Sequence, residues 1–193
     1  RIMGKDVLKL ASDERAVCPM PSQGRLNLDM TAIATSFTVT PSGVGADYDT
    51  SGFVRIGSEV MSYTRSGDVF TIVRGQRNTI AATHKQLDTV QLCKDFVGQT
   101  SQNIVYELLT TFAGVDASYI DKAAWDAEQV GYLPRLYNAI ITTPTGVSKL
   151  ITELSEQVGF FLYWDEVIEK IVFRAIRPNS GSEQITALTS EYN

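Results

Sequence analysis

The chain has 193 residues, of which 44% are hydrophobic and 20% charged, and its formal net charge is −5. This composition is typical of a globular protein with one large domain or two small ones. A single histidine excludes zinc sites built from Cys/His clusters, so we expect no metal and no cofactor. The net charge is negative and the sequence contains no cluster of basic residues, so we expect no sequence-specific nucleic-acid binding. Because no apolar run approaches the roughly 20 residues of a membrane helix, we expect no membrane segment.

Residues 1–34 show no clear periodicity and are interrupted by two prolines and a glycine, which resist regular structure. We interpret this stretch as an N-terminal segment that belongs with the last domain of the chain. Because the sequence begins with Arg1 and stops at Asn193 in a polar stretch, we interpret it as a fragment of a longer polypeptide. Cys18 and Cys93 are expected to be free, partly buried thiols, since no secretory signal accompanies them.

Residues 35–97 contain short runs of β-branched and aromatic residues separated by turns rich in Gly, Pro and Ser. Such runs at close spacing predict a small antiparallel sheet or barrel, which would form a β-rich inserted domain. The clearest hairpin turn is Ser66-Gly67-Asp68, because Gly67 readily adopts the positive φ that tight turns need.

Residues 98–193 change to a helical apolar spacing, interrupted by short strands. The predicted elements are a helix at 101–113, a helix capped by Ser118 and running to Val130, a strand at 135–142, a helix opened by Thr143-Pro144 and running to Val158, and a hairpin of strands 160–165 and 170–176. This order packs one helical layer on a sheet. The predicted fold class is therefore α+β, with a small antiparallel β domain and a helix-on-sheet domain.

The connection between Arg74 and His84 places an arginine, a glycine and the only histidine in one segment. A functional interpretation makes His84 a general base or a ligand. That role lacks partners in the nearby sequence, where the only acids are Asp88 and Asp95. The alternative is that Thr79 and His84 make side-chain hydrogen bonds that hold a long β-connection closed, and we favour it.

Three acids lie at the tip of the last predicted hairpin, namely Asp165, Glu166 and Glu169. Paired carboxylates are what glycoside hydrolysis needs. Adjacent strand residues point to opposite faces, however, so a solvated acidic tip is the simpler interpretation. Four aromatic residues beside this tip could stack on a sugar or pack in the core, and they are Phe160, Phe161, Tyr163 and Trp164.

Part of the β-rich segment resembles a pattern, IGsE…YT…RG…T…H, that recurs in tail and baseplate proteins of tailed bacteriophages. The residues that carry it are Gly57-Ser58-Glu59, Tyr63-Thr64, Arg74-Gly75, Thr79 and His84. The second half, with Leu108-Leu109, Trp125, Thr143-Pro144 and Phe161-Leu162-Tyr163-Trp164-Asp165, resembles the hub segment of siphophage and prophage tail-tip proteins. The resemblance covers roughly residues 1–177.

The resemblance implies a structural hub in the virion, assembled in the host cytoplasm, that is homotrimeric and joins the tail tube to the tip, spike and host-recognition parts. It makes residues 98–193 a hub domain and carries Arg74, Gly75, Thr79 and His84 over as fold-defining positions. No residue is expected to be catalytic, and the protein is not expected to be an enzyme. The alternatives are a tail-associated cell-wall glycan hydrolase and a carbohydrate- or receptor-binding module.

The charge is unevenly distributed, at +1 for residues 1–97 and −6 for residues 98–193. The resemblance implies a hub that surrounds or terminates a channel for DNA, and carboxylates on its wall would repel the phosphates. We expect either that part of the acidic half lines such a channel or that these acids only cover an outer surface. The candidate channel residues are Glu153, Glu156, Asp165, Glu166 and Glu169.

Overall fold

A computed structural model describes residues 8–177, so both ends of the predicted fragment lie outside the described residues. The strands are β1 (Val17–Cys18), β2 (Arg25–Leu26), β3 (Ser36–Thr40), β4 (Ser51–Ile56), β5 (Glu59–Ser66), β6 (Val69–Gln76), β7 (Gln91–Thr100), β8 (Leu136–Ile141), β9 (Thr145–Gly146), β10 (Phe160–Asp165) and β11 (Lys170–Ala175). The longer helices are α1 (Ser101–Glu107), α2 (Lys122–Tyr132) and α3 (Val147–Val158). The predicted α+β fold class is confirmed.

Seven strands form one antiparallel sheet that curls into a half-barrel, in the order β2-β3-β6-β5-β4-β7-β8. The predicted hairpin turn is confirmed, because β5 ends at Ser66, β6 begins at Val69 and Gly67 has a φ of +59°. Residues 35–97 contribute β3 to β6 and most of β7, while β2 and β8 come from outside that segment.

Aromatic side chains fill the inside of the curled sheet. Phe70 is fully buried, and its ring centroid lies 5.0 Å from that of Phe37, 5.2 Å from Tyr48 and 4.9 Å from Tyr63. Phe37 on β3 and Phe70 on β6 alternate with exposed residues, as the two-residue period of a strand requires. The sheet therefore has a core of its own.

The helices and the β10–β11 hairpin enclose a second core, which β7 reaches from the sheet through the buried Phe96. Trp125 of α2 lies at its centre, 5.5 Å from the ring of Phe173, and its Nε1 donates to the carbonyl oxygen of Ile171 at 3.0 Å. Helices on one side and a two-stranded sheet on the other make this the helix-on-sheet part of the fold.

Two predicted helix starts are wrong. Asp121, not Ser118, caps α2, because the Asp121 carboxylate accepts from the N–H of Ala124 at 3.1 Å, whereas Ser118 lies in a separate 3-10 turn. The helix predicted from Thr143-Pro144 begins at Val147, because the two residues before it are extended and pair with β1. A different local cap sets the start of α2, whereas pairing with a distant strand sets the start of α3.

Cys18 and Cys93 are free and buried, as predicted. Burial raises the pKa of both thiols to about 12, so both are protonated at neutral pH. Within residues 8–177, none of the helices combines the length and the apolar character that crossing a bilayer requires.

Candidate functional site

The four residues singled out in the sequence meet around a fifth, Glu59, at the start of β5. The side chain of Glu59 is 0% exposed, although it carries a carboxylate. An unpaired buried charge would be strongly destabilising, so the stability of the sheet depends on the groups that pair with the Glu59 carboxylate.

Arg74 of β6 supplies the countercharge through a two-point ion pair. Its Nε donates to Oε1 of Glu59 at 2.8 Å and its Nη2 donates to Oε2 at 2.7 Å. The guanidinium also donates to the carbonyl oxygens of Thr31 at 2.6 Å and Ala82 at 2.5 Å. The paired geometry and these extra acceptors satisfy a guanidinium that is itself only 11% exposed.

The end of β6 and the connection that follows it supply the remaining donors to Glu59. The backbone N–H groups of Gly75 and Ala82 each donate to it at 3.0 Å, and His84 Nε2 lies 2.9 Å from Oε2. Gly75 has a φ of +60°, a left-handed conformation that favours glycine, and this bends the chain around the carboxylate. The connection thus wraps around Glu59.

Thr79 closes the same connection from the side. Its hydroxyl accepts from the N–H of Val60 at 3.0 Å and donates to the carbonyl oxygen of Gln76 at 2.7 Å. Val60 and Gln76 face each other in the β5–β6 pair, where the register shifts. Thr79 therefore bridges an irregular point of the sheet directly beside Glu59.

His84 has an acidic partner in the fold, although none lies in the nearby sequence. Glu59 precedes it by 25 residues, and the β5–β6 hairpin and the following connection bring the two together. Glu59 was visible in the phage-like pattern, but a lone acid in a strand carries no local sign that it is buried. The available signal was its place in that pattern beside Arg74 and His84.

The groups around Glu59 favour its ionised form. Burial by itself raises the pKa of this carboxyl, but the Arg74 guanidinium, the Ala82 and Gly75 N–H groups and the His84 ring together lower it from 4.5 to about 2. A carboxylate with such a low pKa is a weak base, and its oxygens are already occupied by protein donors. The arrangement suits holding backbone in place rather than transferring protons to a substrate.

The acidic hairpin tip does not form a carboxylate pair. Asp165 Oδ1 accepts from the N–H groups of Val167 at 2.9 Å and Ile168 at 3.3 Å, which caps the turn, while Glu166 and Glu169 are exposed. Among residues 8–177, His, Cys, Asp and Glu side chains form no group of three or more that could hold a metal ion.

The aromatic residues beside the tip divide between the core and the surface. Phe160 is buried, and Trp164 is half-buried, with its ring centroid 5.7 Å from that of Tyr119. Phe161 and Tyr163 lie on the outer face of β10, 48% and 37% exposed, with ring centroids 5.8 Å apart and planes inclined by 25°. This pair is the exposed aromatic surface of the hairpin.

We expect the stability of the protein to fall in acid through Glu59. The pKa of this carboxyl is lower in the folded state than its ordinary 4.5, so its contribution is complete above about pH 5 and is lost as the pH falls toward about 2. At 1.36 kcal/mol per pKa unit, the loss between pH 7 and pH 3 is about 2 kcal/mol. Urea unfolding at pH 7 and pH 3 measures the difference in free energy of unfolding between the wild type and Glu59→Gln. This difference should be smaller at pH 3 by that amount. An equal difference at both pH values contradicts the assignment.

In comparisons with known proteins, the sequence matches no protein-family model, and no curated protein shows significant similarity to it.

Proposed function

We propose that this chain is a structural, non-enzymatic module of a tailed-bacteriophage tail tip or baseplate hub, joining the tail tube to the tip and host-recognition parts. In this proposal it acts in the virion as a homotrimer together with the tube, tip and spike proteins, after assembly in the host cytoplasm. The resemblance of the sequence pattern to phage tail proteins supports the proposed location. The hydrogen bonds that the residues of this pattern make inside the protein support the structural role.

The supporting observation is the network around Glu59. Five residues of the phage-like pattern converge there, and they are Glu59, Arg74, Gly75, Thr79 and His84. The Glu59 carboxylate, the Arg74 guanidinium and the Thr79 hydroxyl are hydrogen-bonded within this network or to the backbone, and His84 is only 5% exposed. Such a cluster positions a long connection on the surface of the sheet, which is what a module in an assembly needs for reproducible contacts.

Four of the five acidic residues proposed for a DNA channel have exposed side chains. Glu153 and Glu156 lie on exposed positions of α3, and Glu166 and Glu169 lie in the exposed turn of the hairpin. Asp165 is half-buried and engaged in capping that turn. A channel wall built from α3 and the hairpin tip would therefore use the first four and not Asp165.

A second candidate is a carbohydrate- or receptor-binding module, favoured by Phe161 and Tyr163. Two exposed, nearly parallel rings form a platform on which a sugar ring can stack. Binding of cell-wall polysaccharide that Phe161→Ala weakens, and that Val167→Ala at the nearby tip does not, would favour this candidate.

Two measurements test the structural proposal, namely the mass of the oligomer and the hydrolysis of cell walls. Analytical ultracentrifugation of the full-length protein that contains this chain should give three times the subunit mass, and addition of the protein to purified cell walls should leave their turbidity unchanged. Clearing of the walls that Glu166→Gln abolishes, while the matched surface variant Glu156→Gln retains it, would overturn the proposal in favour of a glycan hydrolase. A monomer at all concentrations would contradict the trimer.

A further inference from the structure

The outer face of the β10–β11 hairpin combines aromatic and charged side chains. Six residues share this face in cross-strand pairs, namely Phe161 with Arg174, Tyr163 with Val172 and Asp165 with Lys170. Residues that lie directly opposite each other on two paired strands point to the same side of the sheet. The two exposed rings therefore lie in one patch with an acid and two bases.

A pocket of about 160 Å³ is lined by five of these six residues and by the start of α2. Tyr163, Asp165 and Lys170 line it from the hairpin, and Asp121 and Ala124 line it from the helix. Its volume is below the about 300–1,000 Å³ of a site for a drug-sized ligand, so it accommodates one part of a longer ligand. Tyr163 belongs both to the pocket and to the exposed ring pair, so one ligand can contact both.

Two carboxylates of the pocket keep acceptor atoms for a ligand. Asp121 Oδ1 accepts from the N–H of Ala124, and Asp165 Oδ1 accepts from the N–H groups of Val167 and Ile168. Among residues 8–177, the second oxygen of each carboxylate, Oδ2, has no hydrogen-bond donor. The caps restrain both side chains, and each Oδ2 can accept from a group outside the protein.

The charges around the pocket balance, with three acids and three bases, namely Asp121, Glu128 and Asp165 against Lys170, Arg174 and Arg177. Arg174 Nη1 pairs with Glu128 Oε2 at 3.2 Å, and Lys170 Nζ donates to the carbonyl oxygen of Ser118. A lysine ammonium has three donors, so Lys170 retains two for a ligand. An anion would be repelled by the two lining carboxylates and a cation by the two lining bases, so the balance favours an uncharged ligand.

Hydrogen-bonding complementarity selects among uncharged ligands that stack on aromatic rings. A proline-rich peptide stacks on such rings, but proline has no N–H, so the peptide would leave the Oδ2 atoms of Asp121 and Asp165 without donors. A sugar ring has an apolar face of C–H groups and an edge of hydroxyls, each of which both donates and accepts. It can therefore satisfy the carboxylate acceptors and the Lys170 donors together.

We propose that this face of the hairpin binds an uncharged saccharide. One sugar ring stacks on Phe161 and Tyr163, and hydroxyls in the pocket donate to Oδ2 of Asp121 and of Asp165 and accept from Lys170 Nζ. The inference rests on the carbohydrate-binding candidate described above and extends it to the charge and the polar contacts of the ligand. It does not depend on the structural role in a tail tip.

The test is an NMR titration of the 15N-labelled chain with two neutral probes, cellohexaose and the hexamer of N-acetylglucosamine. At least one of them is expected to bind at millimolar concentration and to shift the amide signals of residues 161–165 and 170–174 most. Hexamers of glucosamine and of glucuronic acid have the same β-1,4 linkage but carry positive and negative charge. Both should bind at least tenfold more weakly than the better neutral probe.

Substitutions separate the contribution of the rings from that of the polar groups. Tyr163→Ala should weaken binding of the neutral probe at least tenfold. Asp165→Asn keeps the oxygen that caps the turn but replaces the free acceptor by a donor, and it should weaken binding at least threefold. The matched control is Asp13→Asn, the same change at an exposed aspartate that accepts from a backbone N–H outside the pocket, and it should leave affinity within twofold.

A double variant, Asp121→Asn with Asp165→Asn, tests the charge balance. It should bind the neutral probe more weakly than the wild type does and the glucuronic acid hexamer more tightly. The proposal is overturned if neither neutral probe binds at millimolar concentration, or if a charged hexamer binds the wild type as tightly. Binding that Phe161→Ala abolishes and the two Asp→Asn changes leave unaltered would overturn the pocket contacts while leaving the carbohydrate-binding candidate intact.

Discussion

Replacing Glu59 by glutamine is expected to reduce the free energy of unfolding by about 3–5 kcal/mol, as removal of one partner of a buried ion pair does. Glutamine has nearly the same size, but its amide nitrogen is a donor and would face the N–H donors that now converge on Oε1 and Oε2. The Arg74 guanidinium would keep its charge with only carbonyl oxygens as partners. Urea unfolding monitored by circular dichroism measures the change.

The control for this variant is Glu156→Gln, which makes the same chemical change at an exposed position of α3 and should alter stability by less than about 0.5 kcal/mol. Combining Glu59→Gln with Arg74→Leu should destabilise less than the two separate effects added together, because both act on one ion pair. Full additivity, or a loss below about 1 kcal/mol for Glu59→Gln alone, would show that the network does not stabilise the sheet.

Replacing Trp125 by alanine should cost about 3–5 kcal/mol, the usual range for emptying a large aromatic site in a core. Trp125 is 1% exposed and packs on Phe173, so the cavity would open between α2 and the β10–β11 hairpin. Chemical denaturation of the purified variant measures the loss, and Val130→Ala, at a 77% exposed position of the same helix, is the control.

Trp125→Phe separates packing from hydrogen bonding at this site. Phenylalanine keeps most of the ring but cannot donate to the Ile171 carbonyl, so we expect a smaller loss of about 1–3 kcal/mol. Equal losses for the alanine and phenylalanine variants would show that the hydrogen bond rather than the packing dominates. A loss for Val130→Ala as large as that for Trp125→Ala would contradict the proposed core.

Local sequence patterns determined most of the elements of this protein. Alternating apolar residues and Gly67 predicted the β5–β6 hairpin, and the spacing of Leu150 and Leu154 predicted a helix that ends at Gly159. These predictions succeed because side-chain period and positive-φ turns are properties of a few neighbouring residues. The α+β class follows from the order of such elements.

Only the tertiary structure decided where the elements begin and which residues meet. Thr143-Pro144 carries a good helix-start signal, yet pairing of Thr145–Gly146 with β1 delays the helix to Val147. The role of Glu59 depends on donors 15 to 25 residues further along the chain, which no local window contains.

A groove lined by β8 and α3 also has a purely tertiary origin. The apolar stripe of α3 predicts a buried face, but whether that face is fully covered depends on how far the helix lies from the edge of the sheet. A sequence specifies which side chains prefer to leave water, because hydrophobicity belongs to each residue. Whether enough neighbours cover them is a property of the packed structure, and among residues 8–177 Leu150 and Leu154 stay partly exposed.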